Sequence, residues 1–449
     1  MTSDLDIVVH AERAVVDGTV RRASVGIGGG VIRVIDPEPG VHRGQREVAL
    51  PSGAVLLPGL VDTHVHINDP GTDWEGFSSA TAAAAAGGIT TVVDMPLDSD
   101  PVTTSVAALE SKYAAAQGNC QIDVGFWGGV VPDNIDTTHV LAELVAAGCV
   151  GFKCFLSDSG NPAFPPLDAE QFSRAMELVA GLDTVMLVHA ESDAVLAASA
   201  AVAGPSYLAF LDSRPDAAEV TAVQLVIDTV RRTGGRAHLV HISSADSLPL
   251  IAAAKREGLP ITAETCPHYL TFDADDIPDG GTEFAACPPI RRGAHRRHLW
   301  TALGDGVLDM IVSDHSPCAP HHKGGGDFGV AFGGISSLQL GLRAVWTGAQ
   351  AHGFGLAEVC RWMAERPAAL AGFTDRGRIA VGTRADFVVF DPQVQHRVDA
   401  AELYHRHPVT PYDGVELTGA VLQTWLAGEP VDLVDGAGRG RLLSSVVAA

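Results

Sequence analysis

From residue 60 to residue 314 the chain repeats one rhythm eight times: a short apolar run, a loop, and in most gaps an Ala- or Leu-rich stretch of helical character. The runs fall at 60–66, 89–95 (ITTVVDM), 121–130 (QIDVGFWGGV), 150–155 (VGFKCF), 184–189 (TVMLVH), 236–241 (RAHLVH), 261–266 (ITAETC) and 309–314 (DMIVSD). Such continuous apolar runs read as strands buried on both faces, and strands alternating with helices read as parallel. Eight alternations over about 250 residues is the count of a (β/α)8 TIM-like barrel, so the fold class is α/β. A doubly wound open sheet is the competitor, but no G-x-G-x-x-G opens a helix. Among the helical stretches, SSATAAAAAGG ends on glycine, and DTTHVLAELVAAG offers Asp136 or Thr137 as its N-cap.

The flanks read differently. Residues 1–57 and 376–449 hold short Val- and Ile-rich runs (DIVVHAERAVV, SVGIGGGVIRVID, RADFVVFDP, VELTGAVLQTWLAGEPV) broken by Gly, Asp and Pro, as antiparallel strands are. We expect them to pair into one small β-sandwich domain built from both termini, with the barrel occupying 58–375. The other possibility is two unrelated β appendages.

The formal net charge of −24 argues against a nucleic-acid partner, which needs basic patches. Seven scattered cysteines without a C-x-x-C pair indicate neither a disulfide framework nor a zinc ribbon. The first residues carry no basic segment, and no run approaches the roughly 18 apolar residues of a membrane span. No membrane partner and a cytoplasmic location are therefore expected.

Chemistry-bearing residues collect where a barrel places its active site, at the C-terminal ends of the strands. His64 and His66 end the first, and residues two apart on a strand face the same side. Lys153 ends the fourth, His189 the fifth, His241 the sixth and Asp314 the eighth. Each alone has a bland reading: a satisfied core histidine, a snorkelling lysine, a capping aspartate. Six together point to a metal site, since imidazole and carboxylate are good ligands for zinc-like ions. An ammonium cannot ligate a cation, but a neutral Lys153 amine can take up carbon dioxide to give a carbamate with two oxygens, enough to bridge two ions. His238 stands on the same strand and competes with His241, which sits nearer the strand's C-terminal end.

The stretches PGLVDTHVHINDPG (58–71), GFKCFL (151–156), HLVHISSADS (238–247), ETCPHYLTF (264–272), CPPIR (287–291), SDHSPC (313–318), FGGISSLQ (332–339) and HPVTPYDGVELTG (407–419) resemble the cyclic amidohydrolases, and within them the allantoinases. The resemblance implies two divalent ions per chain, zinc first among candidates. His64, His66 and Asp314 would hold one, His189 and His241 the other, and N6-carboxylysine at Lys153 would bridge them. Asp314 would also be the general base for a hydroxide attacking a ring amide. Cys287, Ser316, and Gly333 or Gly334 would contact the substrate largely through backbone, with Cys287 not a nucleophile. Dihydroorotases carry Arg at the Asn68 position, and dihydropyrimidinases Tyr at the Asp158 position. Neutral Asn68 therefore favours an uncharged substrate, allantoin. Two departures bear on substrate fit: Asp98 stands where these enzymes usually have Asn, and the segment after Gly71 is one residue short and lacks an Arg. The family further implies a homotetramer or dimer, the tetramer being expected. The alternatives are a hydantoinase acting on 5-substituted hydantoins and, from another class, a non-catalytic scaffold of the same fold.

Overall fold

The computed structural model describes residues 5–137, 139–433 and 438–444. The parallel strands run in the order expected of a barrel: Leu60–Val65, Ile89–Asp94, Asp123–Phe126, then Gly128–Gly129, Phe152–Phe155, Val185–His189, Arg236–Leu239, Ile261–Thr265 and Met310–Ile311. The third barrel strand is split. Its first half pairs with the second strand and its second half with the fourth, and Trp127 stands between, donating its indole N–H to the Thr63 carbonyl at 2.8 Å. The circle closes where Val65 pairs in parallel with His315 and the His66 amide donates to the His315 carbonyl at 2.8 Å.

The sixth and eighth strands stop short of the expected ends at 241 and 314. Both chains leave the ladder through a residue of positive φ, His241 (40°) and Asp314 (45°). In the eighth strand a side chain also replaces a ladder partner, for the Ser313 amide donates to Asp62 Oδ2 at 3.0 Å. Leaving the ladder here frees His241 and Asp314 to turn over the barrel mouth.

One helix differs from expectation. The segment expected to start at Asp136 or Thr137 is two helices, Pro132–Ile135 and Val140–Ala146, and Asp136 caps the C-terminal end of the first. Pro132 nucleates that extra turn, and Asn134 pins it by donating to the Gly129 carbonyl at 2.8 Å. Thr138 lies outside the described residues.

The two ends of the chain share one sheet. Val55–Pro58 pairs antiparallel with Phe387–Arg397 on one side and meets Leu5–Val16 on the other. The sheet continues through Glu416–Leu426 and Thr19–Gly28, and its inner residues, among them Ile7, Val25, Leu56, Phe387 and Trp425, form a core of their own. The β-domain passes into the barrel through Gly59, where a Cβ would lie 2.3 Å from the Thr90 hydroxyl. A larger residue there would push the β-domain off the first barrel strand. Past the sheet, residues 441–443 lie beside the split third strand: the Val124 amide donates to the Arg441 carbonyl at 2.9 Å.

Candidate active site

The barrel mouth brings all six expected ligands together. The ligating atoms of His64, His66 and Asp314 lie within 4.8 Å of one another. Asp314 Oδ1 is 3.1 Å from His64 Nε2 and 3.6 Å from His66 Nε2. The rings of His189 and His241 meet edge to face at 4.6 Å, and His241 is 5.5 Å from His64. Lys153, 1% exposed, sits among them: its charge acts on His66, His189 and His241, and Asp314 acts back on it.

Hydrogen bonds behind the site fix which nitrogen of each ring faces inward. A carboxylate or carbonyl can only accept, so the ring nitrogen opposite it carries the proton. His64 Nδ1 donates to Glu264 Oε1 at 2.5 Å and His66 Nδ1 to the Leu97 carbonyl at 2.7 Å. Their Nε2 lone pairs are left pointing at Asp314. His189 is held the other way, donating Nε2–H to Glu191 Oε2 at 2.8 Å and leaving Nδ1 open. His241 Nδ1 is buried without a hydrogen-bond partner. Burial holds His66 and His241 well below the ordinary imidazole range and lowers His189 to about 4, so all three are neutral, as ligands must be. Burial also lowers Lys153 to about 8 against the opposing pull of Asp314 and Glu264, which makes its free amine accessible near neutral pH. Open inward nitrogens, an orphaned ring atom and a softened lysine fit a pair of divalent cations.

Of His238 and His241, only His241 keeps a ring nitrogen without a hydrogen-bond partner. Both His238 nitrogens are spent, Nδ1 with Thr262 Oγ1 at 2.7 Å and Nε2 with Glu264 Oε2 at 2.8 Å, and the residue is fully buried behind the site.

Three carboxylates are not among the residues that strand-end position singles out. Glu264 lies at 0% exposure beneath the site. Burial opposes its ionisation, but facing His64 and His238 outweighs that and holds it well below the usual carboxylate range. Glu191 is kept at about 2: burial pushes it up, and Arg214, bound through both guanidinium Nε (3.1 Å) and Nη2 (2.5 Å), more than offsets the push. Asp62 accepts from the amides of His64 (3.1 Å) and Ser313 (3.0 Å) and so ties the first strand to the eighth, while burial raises it to about 6. The available signal is a charged residue in or beside an apolar run, which demands a partner.

The expected substrate-contact residues are placed less simply. The Asn68 amide is committed inside the protein: Nδ2 donates to the Pro317 carbonyl at 3.1 Å and Oδ1 accepts from the Asp98 amide at 2.9 Å. It fastens the loops after the first, second and eighth strands. The amides of Ser316 and Gly334 donate to the carbonyls of Ile335 (3.0 Å) and Ala285 (2.9 Å), so neither N–H is free for a ligand. Gly333 packs on Cys287, whose sulfur would lie 2.7 Å from a Cβ there. The Cys287 thiol is pushed up by burial, as expected of a packing residue rather than a nucleophile.

A profile of the amidohydrolase family matches residues 55–431, which span the barrel and the C-terminal strands of the sheet that carries it. The chain belongs to the amidohydrolase family. It is 48% identical to an allantoinase of Streptomyces avermitilis over 98% of this chain and 99% of that one, and 43% identical to an allantoinase of Saccharomyces cerevisiae over 85% and 83%. Among solved structures, an L-hydantoinase (dihydropyrimidinase) from Arthrobacter aurescens matches with a TM-score of 0.92 at 28% identity, over 98% of this chain and 100% of that one. The fold class expected from the eightfold rhythm, a barrel with a β-sandwich, is that of the amidohydrolase neighbours.

Proposed function

We propose that this amidohydrolase opens the hydantoin ring of allantoin to allantoate. The observation that carries the substrate choice is the 48% identity, end to end, with an allantoinase. The site is in keeping with it. Asn68 puts a neutral, fully engaged amide near the mouth, so this position offers no charge to a substrate carboxylate.

Two divalent ions, held by His64, His66, Asp314, His189, His241 and a carboxylated Lys153, would polarise the ring carbonyl and make a water acidic enough to ionise near neutral pH. Zinc is the ion the N/O donor set suits. Asp314 takes the proton of the attacking water as oxygen adds to the ring carbonyl carbon. It then delivers that proton to the ring nitrogen as the C–N bond breaks, leaving a ureido N–H and a carboxylic acid that releases its proton to solvent as the carboxylate forms. Burial raises the Asp314 carboxyl, which improves it as a base. Asn68, Cys287, Ser316, Gly333 and Gly334 shape the substrate side. With the Ser316 and Gly334 amides engaged, contacts there run through carbonyls and shape.

The test is side-by-side turnover of allantoin, dihydroorotate, dihydrouracil and hydantoin, with metal content measured. Allantoin should lead by roughly tenfold or more in kcat/KM. The hydantoinase match supports a second reading, because allantoin is itself a hydantoin with a ureido group at C5. A preference for 5-alkyl or 5-aryl hydantoins would establish that reading instead. A cytoplasmic homotetramer completes the proposal. No helix among the described residues is long and apolar enough to cross a membrane, and sedimentation would measure the assembly.

A further inference from the structure

Beside the six ligands lies a second set of donors. Cys266 follows the seventh barrel strand, and His268 sits on the short helix Pro267–Thr271 that begins there. One ligand atom from each of Cys266, His268 and Asp314 lies within 4.8 Å of the other two. Cys266 is 0% and His268 1% exposed. Both ring nitrogens of His268 are buried with no hydrogen-bond partner. A buried polar group normally has one, because leaving it unmade is costly. The neighbour that meets the ring edge to face, Tyr269 at 4.1 Å, spends its own hydroxyl on the Pro288 carbonyl. Burial lowers His268 to about 3, so its ring is neutral and offers a lone pair.

We propose that Cys266, His268 and Asp314 form a separate site for one thiophilic divalent cation, and that filling it inhibits the enzyme by drawing on Asp314. A sulfur, nitrogen and oxygen donor set is a zinc-like environment. Binding forms a cation–sulfur bond and releases the thiol proton to solvent, and nothing is oxidised or reduced. Thiolate is a soft donor, so ions that bond weakly to sulfur, such as magnesium and calcium, will not fill the site. Zinc, cadmium and cobalt(II) will. Because Asp314 belongs to both donor sets, a cation here competes for the carboxylate that must accept the water proton. The inhibition, though not the site, rests on the role given to Asp314 above.

The experiment starts from holoenzyme dialysed to two ions per chain, titrated with zinc and, separately, with cobalt(II). The wild type should take up a third equivalent, develop a thiolate-to-cobalt charge-transfer band in the near ultraviolet, and lose turnover in step with it. Cys266→Ser should keep two ions and its basal turnover, show no band, and resist excess zinc. His268→Phe should weaken the third equivalent roughly tenfold or more. It also serves as the second variant if Cys266→Ser does not fold. A wild-type titration with no cobalt–thiolate band, or a Cys266→Ser enzyme equally sensitive to zinc, overturns the site. A band and a third ion without loss of turnover overturn the inhibition, and with it the shared use of Asp314.

Discussion

His64 Nδ1 and Glu264 Oε1 lie 2.5 Å apart although 200 residues separate them in sequence. The same carboxylate receives His238 Nε2 at 2.8 Å and the His241 backbone amide at 3.3 Å. One buried side chain therefore orients a ligand ring of one half of the site and the backbone that carries a ligand of the other. It also makes His64 a donor at Nδ1 and so a ligand at Nε2.

Glu264→Gln should weaken metal binding by about 10–100-fold, the usual cost of losing such a partner. The amide keeps the volume but can present N–H where an acceptor is needed. Chelator competition on the apo protein measures the effect without reference to turnover. An affinity within error of wild type would show that His64 needs no orientation from behind.

Lys153→Ala should abolish turnover and release metal, because the bridging position empties. Short carboxylic acids added to the variant should restore part of each by supplying the missing oxygens. With the amine near 8 rather than its ordinary 10.5, recovery of metal-stripped wild type in bicarbonate should improve as pH rises through about 8 and then level off. A Lys153→Ala enzyme with normal turnover and two ions would refute the bridge.

Asp386 gives a stability test far from the metals. It is 4% exposed, its Oδ2 has no hydrogen-bond partner, and burial raises it from 3.8 to about 6 despite Arg384 beside it. The folded state therefore holds this proton more tightly than the unfolded chain. The stabilisation is fully present below the ordinary 3.8 and is lost as pH rises through about 6. The whole loss is on the order of 3 kcal/mol. Asp386→Asn, which cannot ionise, should unfold at higher temperature than wild type at pH 8, and the gap should close toward pH 4. Thermal melts of the metal-free proteins read this directly. A gap independent of pH would assign the burial cost to something other than the charge.

What the chain discloses in one dimension is its period and its strand ends. His64, His66, Lys153, His189 and Asp314 are legible because a parallel strand must end at the barrel's active face, and only polar side chains there need explaining. Glu264 is not legible in the same way. It stands in an apolar run, and its reason for being there is a ring 200 residues away. The choice between His238 and His241 is likewise open in sequence, since residues three apart on a strand face opposite sides and either could be the one turned inward. In the fold, Thr262 and Glu264 close on His238 from the next strand and occupy both its ring nitrogens. The split of the third strand at Trp127 depends on a carbonyl donated by the first. The committed amides of Asn68, Ser316 and Gly334 reflect loop-to-loop bonds that no local pattern encodes.

Asp314→Asn should remove catalysis more than folding or substrate binding. An Asn can still present an oxygen toward the site His64 and His66 share, so the ions should remain with reduced affinity. It cannot accept a proton from water at neutral pH. General acid–base groups contribute about 10²–10⁴-fold, and the fall in kcat should be at least of that order. Burial raises the wild-type carboxyl, with His64 and Lys153 pulling the other way. The acidic limb of the wild-type rate profile should thus report this group ionising together with the water it serves. In the variant that limb should change as well as the rate, while thermal unfolding with metal supplied stays near that of wild type. If Asp314→Asn, with two ions confirmed, turns over allantoin within about threefold of wild type, the loss is far below what a general base contributes and the proton must leave by another group.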